Sequence, residues 1–465
     1  MAETLTQNSQ DEIFGHPKGL FILFFTEMWE RFSYYGMRAI LVLYIVAEVD
    51  GKNPGLGWTN GEALELYGWY TMLVYVLSIP GGLLADKLLG QKKTVLLGGI
   101  LLCLGHGVLA IEEMWAFYTG LVLIILGVGA LKPNISTMVG GLYKKGDIRR
   151  DKGFTLFYIG INIGAFLSSI IVGVVGETIG WHYGFGLAGI GMVLGQTVYM
   201  AGQKHLKHVG NFIGDNKEQA ANSKNPLTKI EKDRILVMLL SFVIIIVFWG
   251  AFEQAGGLMN IYTMEKIDRS LFGIIIPASV FQSANAFFII VLGTFVAGVW
   301  AKRQLKGKEA STLFKMGLGV IIMGTGFLAM SAAAIQADSS IDGKGAMIFL
   351  IIAYLFHTIG ELFASPTALS FITKLAPAKY ASLMMGAYFA ATGFGSKLAA
   401  VVGGLAEGAG ELQIFTGIFI FTLLFGGLII ALLKPLKRLT HGAEDIEGTS
   451  HEETEGFELA DKGGV

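Results

Sequence analysis

Apolar runs of about 18 residues or more, separated by short polar breaks, predict twelve membrane-spanning helices. They lie near 19–47, 63–85, 94–111, 114–140, 154–176, 183–201, 235–262, 276–301, 316–336, 346–373, 381–405 and 413–433. Spans 3 and 4 are parted only by Glu112 and Glu113, and span 8 is free to begin before Pro277. The polar residues 1–18 lead directly into a span of full length, so no cleavable leader is expected. The long polar break at 202–234 splits the spans six and six. That layout predicts an N-terminal six-helix bundle over 1–201, a cytoplasmic linker over 202–234, and a C-terminal six-helix bundle over 235–435, packed around a central cavity. The remainder, 436–465, carries eight acids from residue 444 onward against Lys462 and is expected to be disordered.

Composition narrows the class to an all-α membrane protein. Of 465 residues, 53% are apolar and only 15% are charged, against roughly 25% charged in soluble domains. An ordinary soluble enzyme and a disordered chain are both excluded. A single cysteine, Cys103, excludes a disulfide scaffold. The 64 glycines suit close helix packing in lipid. A net charge of −1 gives no reason to expect nucleic acid as a partner. The loops after spans 2, 4, 6, 8 and 10, with the stub after span 12, hold 25 Lys and Arg, whereas the other loops hold only Lys52, Lys266, Arg269 and Lys344. This asymmetry predicts that both termini face the cytoplasm. The short external loops favour a bacterial inner membrane, with the lipid bilayer itself as the first partner.

Eight ionisable residues other than histidine lie well inside the spans: Glu27, Glu30, Arg31, Arg38, Lys132, Glu253, Glu361 and Lys397. Facing lipid at mid-bilayer each would cost roughly 2.5–3.5 kcal/mol. Together that is about 20–28 kcal/mol, more than the roughly 5–15 kcal/mol that holds a fold together. They must therefore face one another or a wet interior. Ion pairs gluing helices would satisfy the cost for one or two of them. Eight at balanced charge point to a hydrated pathway.

Span 1 is the densest case. At 100° per residue, Glu27, Glu30, Arg31, Tyr34 and Arg38 share one helix face, with Glu27 and Arg31 four residues apart. A carboxylate beside a permanent cation has two states: ionised, it holds the arginine; protonated, it releases it. Span 4 places Lys132 beside Pro133, where a kink is expected. Span 10, its counterpart in the second half, places Glu361 before Ser365-Pro366, and span 7, the counterpart of span 1, carries Glu253. Cations in one half opposed by acids in the other would make a bipolar pocket suited to a short zwitterion. At about 3.5 Å per residue, that is a ligand of two or three amino acids. Asn162 on span 5 and Asn285 on span 8 lie on small-residue faces, where a buried amide either glues helices or meets a ligand.

These residues closely resemble the proton-dependent oligopeptide transporter family of the major facilitator superfamily. The match E-x-x-E-R-F-x-Y-Y at Glu27–Tyr35 is complete. The segment Gly81–Lys93 resembles the superfamily's loop between spans 2 and 3, while Leu131–Asn134 and Phe157–Gly164 resemble family signatures on spans 4 and 5. The resemblance implies a major facilitator fold and import of di- and tripeptides driven by protons, with no cofactor and no metal, by a chain that works as a monomer. By the same resemblance, Arg31 and Lys132 would hold the peptide carboxylate with Arg38 nearby. Asn162, Asn285 and Glu361 would hold its amino terminus, Tyr35, Tyr75 and Ser365 would line the pocket, and Trp249 would shape a side-chain pocket. Glu27, Glu30 and Glu253 would handle protons and gates, with Arg38–Glu253 and Lys132–Glu361 as bridges between the halves. Many bacterial members carry two additional helices between the bundles. The 202–234 linker is too polar for them.

Two other classes fit parts of the pattern. A carrier of nitrate or another small organic anion shares the fold but has less need of Glu361 opposite its cations. An intramembrane enzyme needs a nucleophile–base pair or metal ligands at depth. The buried histidines, His106 and His357, come with no G-x-S-x-G or H-E-x-x-H motif. His357 stands four residues before Glu361, within reach of a hydrogen bond to it.

Overall fold

The computed structural model describes residues 12–144, 147, 149–212, 226–306, 310–377 and 380–443. The tail from 444 and linker residues 213–225 lie outside the described residues, and with them the expectation of a disordered tail. Twelve long helices account for most of the described chain. They are α1 (Lys18–Val46), α2 (Asn60–Val76), α3 (Gln91–Leu109), α4 (Met114–Gly141), α5 (Arg149–Thr178), α6 (Trp181–Ala201), α7 (Lys229–Phe252), α8 (Ser283–Leu305), α9 (Thr312–Ser339), α10 (Met347–Leu375), α11 (Ala381–Gly404) and α12 (Glu411–Ala431). Eleven of them, with their continuations, are long and apolar enough to cross a membrane. The exception is α1, whose length of 29 residues suffices but whose Glu27, Glu30, Arg31 and Arg38 break its hydropathy. Twenty of those 29 residues are buried, so α1 tolerates the charges because other helices, not lipid, surround it.

Local chemistry sets several helix ends. Thr59 and Thr228 each open a helix with a reciprocal capping box, to Glu62 at α2 and Glu231 at α7. The expected proline kinks are not where helical order fails. Pro133 and Pro366 both sit inside helices that run on through them. Pro133 removes a donor from the turn before it, and Asn134 steadies that turn, its amide reaching the Ala130 carbonyl at 2.7 Å and the Gly81 carbonyl of the helix after α2 at 3.2 Å. The interruptions fall elsewhere. After Leu77, α2 continues as Ser78–Leu84 and a wide π turn, Ala85–Leu89. At Glu253–Ala255, α7 tightens into a 3₁₀ turn before resuming as Leu258–Lys266. Span 8 begins after Pro277, with a 3₁₀ turn at Ala278–Gln282 leading into α8.

In the first half α1 packs on α5 and α6, and α3 on α4 and α6; in the second, α9 packs on α10 and α12. Two seams join the halves, α2 against α11 and α5 against α8. Small residues make close approach possible. Gly68 of α2 meets Ala400 of α11, and Gly164 lets α5 rest on the Met28 carbonyl and the Arg31 stem of α1. Hydrogen bonds across the halves gather at the end away from the Lys/Arg-rich loops. There Asn260 donates to the Ala39 carbonyl at 2.9 Å, and Gln282 reaches the same oxygen at 3.4 Å. Among the described residues, α4 and α10 form no comparable seam.

Candidate functional site

On α1 the four charges form two groups. Arg31 Nε lies 2.7 Å from Glu27 Oε1 and 2.8 Å from Glu30 Oε2, with all three side chains buried. The second oxygens, Glu27 Oε2 and Glu30 Oε1, meet no donor among the described residues. Two turns on, Arg38 divides its guanidinium between the Tyr67 hydroxyl at 2.6 Å and Glu253 Oε2 of the other half, also at 2.6 Å. The 3₁₀ turn at the end of α7 presents Glu253, so the interruption in that helix and the bridge between the halves coincide.

A cavity of about 130 Å³ lies between the halves, and both supply its wall. Tyr35, Arg38, Tyr75, Tyr158 and Asn162 come from the first half; Trp249, Phe252, Glu253, Gln282, Asn285, Tyr354 and Glu361 come from the second. Eight of the thirteen residues singled out from sequence thus share one chamber. Glu361 accepts from the Asn285 amide at 2.8 Å, and the same amide reaches Thr358 at 3.0 Å. Lys132 borders the chamber indirectly, its ammonium 3.8 Å from the centre of the Tyr75 ring.

Some expectations are not met in this arrangement. The bridges were expected at Arg38–Glu253 and Lys132–Glu361, and only the first is formed: Lys132 is over Tyr75 and Glu361 is held by Asn285. Asn162 lines the cavity but spends one amide hydrogen on the Tyr158 carbonyl of its own helix. Arg31, Glu27, Glu30 and Ser365 are not part of the cavity wall; Ser365 sits half-buried one turn beyond Glu361 on α10. His357 does not bond to Glu361. Both its ring nitrogens lack a partner, and the ring packs among Phe252, Phe327 and Tyr354. No cluster of metal-ligating side chains occurs among the described residues.

The sequence profile of the POT family matches residues 92–227 and 216–415. The chain belongs to the POT family. Over 93% of its length it is 34% identical to a di-/tripeptide transporter of Lactococcus lactis, covering 98% of that protein. It is 33% identical, over the same share, to a peptide transporter of Yersinia enterocolitica, covering 96% of it. Among solved structures, a POT peptide transporter in complex with sulfate superposes with a TM-score of 0.85 at 34% identity, over 92% of this chain and 97% of the other. A POT peptide transporter in complex with alafosfalin gives 0.84 at the same identity, over 92% and 97%. The fold is therefore the major facilitator fold of POT transporters. The Lactococcus alignment spans 490 positions while taking in 93% of this chain, so that relative carries on the order of fifty residues without a counterpart here.

Sequence reasoning missed five of the residues named for this POT-family chamber and its bridge: Tyr67, Tyr158, Phe252, Gln282 and Tyr354. Helical spacing holds a signal for three of them. Tyr158 lies four residues before Asn162 and Tyr354 seven before Glu361, on the same faces, and Tyr67 lies eight before Tyr75.

Proposed function

We propose that this POT-family protein is a proton-coupled importer of di- and tripeptides, working by alternating access as a monomer in a bacterial inner membrane. Its basic end and both termini then lie in the cytoplasm, and the coupling ion is the proton, with no other cofactor. The observation that carries this reading is the shared chamber, where Arg38 and the neighbouring Lys132 of one half stand opposite Glu253 and Glu361 of the other. The relatives named as di-/tripeptide transporters support it. A carrier of plain anions gains nothing from an acid fixed by an amide, as Glu361 is by Asn285.

The steps follow from charge. Two carboxylates, Glu27 and Glu30, share one guanidinium, which leaves one surplus negative charge in a buried place. A proton removes the surplus and loosens Arg31 to meet the peptide carboxylate, with Lys132 and Arg38 as further cations. The peptide amine, a donor, turns to Glu361, with Asn285 and Asn162 beside it, while Tyr35, Tyr75 and Ser365 flank the backbone and Trp249 borders a side chain. A proton on Glu253 releases Arg38 and lets the outer end part. Closure on the cytoplasmic side would bring Lys132 to Glu361, the bridge absent from the present arrangement.

Uptake of a labelled dipeptide into liposomes, with counterflow and an inward proton gradient measured separately, tests substrate class and coupling together. Concentrative uptake only under the gradient is expected. Equal competition by the dipeptide and its N-acetyl form would remove Glu361, Asn285 and Asn162 as amine ligands. Release of free amino acids by the purified protein would replace transport with hydrolysis.

A further inference from the structure

The seam between α5 and α8 is tied by one carboxylate. Glu177, in the last turn of α5, accepts at Oε2 from the Ala278 amide at 2.9 Å and at Oε1 from the Ser279 amide at 2.7 Å. The Ser279 hydroxyl donates to Oε1 as well. Arg269 adds its charge, with Nη1 at 3.8 Å from Oε2. All four of these groups belong to the other half. The cluster is largely shielded: Glu177 is 11% exposed, Arg269 is 15% exposed and Ser279 is fully buried. One turn back, Gly173 lies against the Ser279 side chain, so only a residue without Cβ lets α5 come this near.

Each side of the contact is braced within its own half. Asn53, in the loop after α1, donates to the Gly176 carbonyl at 2.8 Å and the Glu177 carbonyl at 3.3 Å, and Trp181 donates to the Asn53 carbonyl at 3.1 Å. Arg269 in turn donates to the Ile276 carbonyl at 2.8 Å and accepts from the Ile276 amide at 3.0 Å through its own carbonyl. The amides of Ala278 and Ser279 open the first turn after Pro277 and have no acceptor earlier in that helix. The braces survive a parting of the halves, whereas the bonds to Glu177 do not.

We infer that Glu177 is the latch of the outer gate, a positioning residue that holds the outward end shut by gripping Ala278, Ser279 and Arg269 of the opposite half. The inference rests on the alternating-access reading. Hydrogen bonds to a charged group are among the stronger ones in proteins, and here three break together. Removing the charge therefore moves the ratio of outward-open to outward-closed protein by at least about tenfold, or 1.4 kcal/mol.

The test is a distance measurement. Spin labels at Thr178→Cys and Ile274→Cys, both exposed positions, in a Cys103→Ser background report the gap at this end by double electron–electron resonance. Samples are taken in acid, at neutral pH and with saturating dipeptide. Glu177→Gln should enlarge the long-distance population about tenfold. Ser279→Ala, which removes one donor and keeps the charge, should enlarge it by less and carries the test if Glu177→Gln does not fold. A merely structural role would lower the melting temperature without changing the ratio of the two distances, and that result overturns the latch. A parent protein that switches between two distances while both variants keep its ratio also overturns it. A parent fixed at one distance in every sample overturns alternating access and the latch with it.

Discussion

Two charge pairs of the chamber, one nearer each end, are built from the same kinds of residue, and only one of them is bridged. At the end away from the Lys/Arg-rich loops a buried arginine and a buried glutamate of different halves meet at 2.6 Å, and Asn260 and Gln282 add bonds to the Ala39 carbonyl. Deeper in the chamber a lysine and a glutamate of different halves are also present, yet each is held by its own half: Lys132 over Tyr75, Glu361 by Asn285. The composition of the two pairs therefore does not decide which is bridged. What decides it is which partner each charge has chosen, and a protein with two alternative sets of partners has the bistability that a rocking transporter needs.

Breaking the bridged pair should have the largest effect. Glu253→Gln leaves the buried Arg38 charge without a counter-ion, its guanidinium facing a neutral amide and the Tyr67 hydroxyl, and loss of one charge of a buried pair costs about 3–5 kcal/mol. Proton-driven uptake should fall at least about a hundredfold and the melting temperature should drop. The double variant Arg38→Met with Glu253→Met, which buries no lone charge, should recover the melting temperature and not the transport. Recovery of both would reduce the pair to packing and erase the contrast between the two pairs.

Next in size is Glu30→Gln. The substitution keeps the shape beside Arg31 but makes the Glu27–Glu30–Arg31 group neutral without a proton. Accumulation against a gradient should cease while counterflow persists. A variant that still concentrates peptide would move the coupling proton away from α1 and toward Glu253.

A smaller effect is expected at the unbridged pair from Asn285→Ala. It deletes one donor to Glu361, and a hydrogen bond to a charged group is worth about 1.5–3 kcal/mol. The KM for dipeptide should rise about tenfold or more with little change in melting temperature. A fall in KM would mean that the amide competes with the peptide amine for Glu361 instead of presenting it.

How much of this was readable beforehand depends on the range of the interaction. The twelve spans and the charged face of α1 follow from spacing along one helix, and both are present as expected. The Glu27–Arg31 contact, four residues apart, needed no knowledge of other helices. Pairings between halves were legible only as possibilities: Arg38–Glu253 and Lys132–Glu361 look equivalent in sequence, and only the first is formed, because spacing along a helix does not say which partner a charge meets across the halves. Both prolines lie inside continuous helices, and the Asn134 amide beside Pro133 reaches an acceptor, the Gly81 carbonyl, 53 residues away. The interruption at Glu253 carries no proline at all, only Gly256 and Gly257 just beyond it. Glu177 escaped notice because two of its partners are backbone amides, which leave no signature in side-chain identity, and its side-chain partners Ser279 and Arg269 belong to the other half.

The smallest effect belongs to Lys397, and it sharpens the comparison by its weakness. Its ammonium pairs with Glu65 across the α2–α11 seam and lies 4.6 Å from the centre of the Trp69 ring, while Trp69 donates to the same carboxylate at 2.8 Å. This is a bridge between halves, like Arg38–Glu253, and it also sits toward the end away from the Lys/Arg-rich loops. The difference is exposure, with the Glu65 side chain 56% accessible where Glu253 is 2% accessible. Exposed ion pairs contribute about 0–1 kcal/mol, so Lys397→Gln should change proton-driven uptake less than about fivefold and leave the melting temperature in place. A loss on the scale of Glu253→Gln would show that burial is not what makes a bridge act as a gate, and that position along the seam matters more than the partners' access to water.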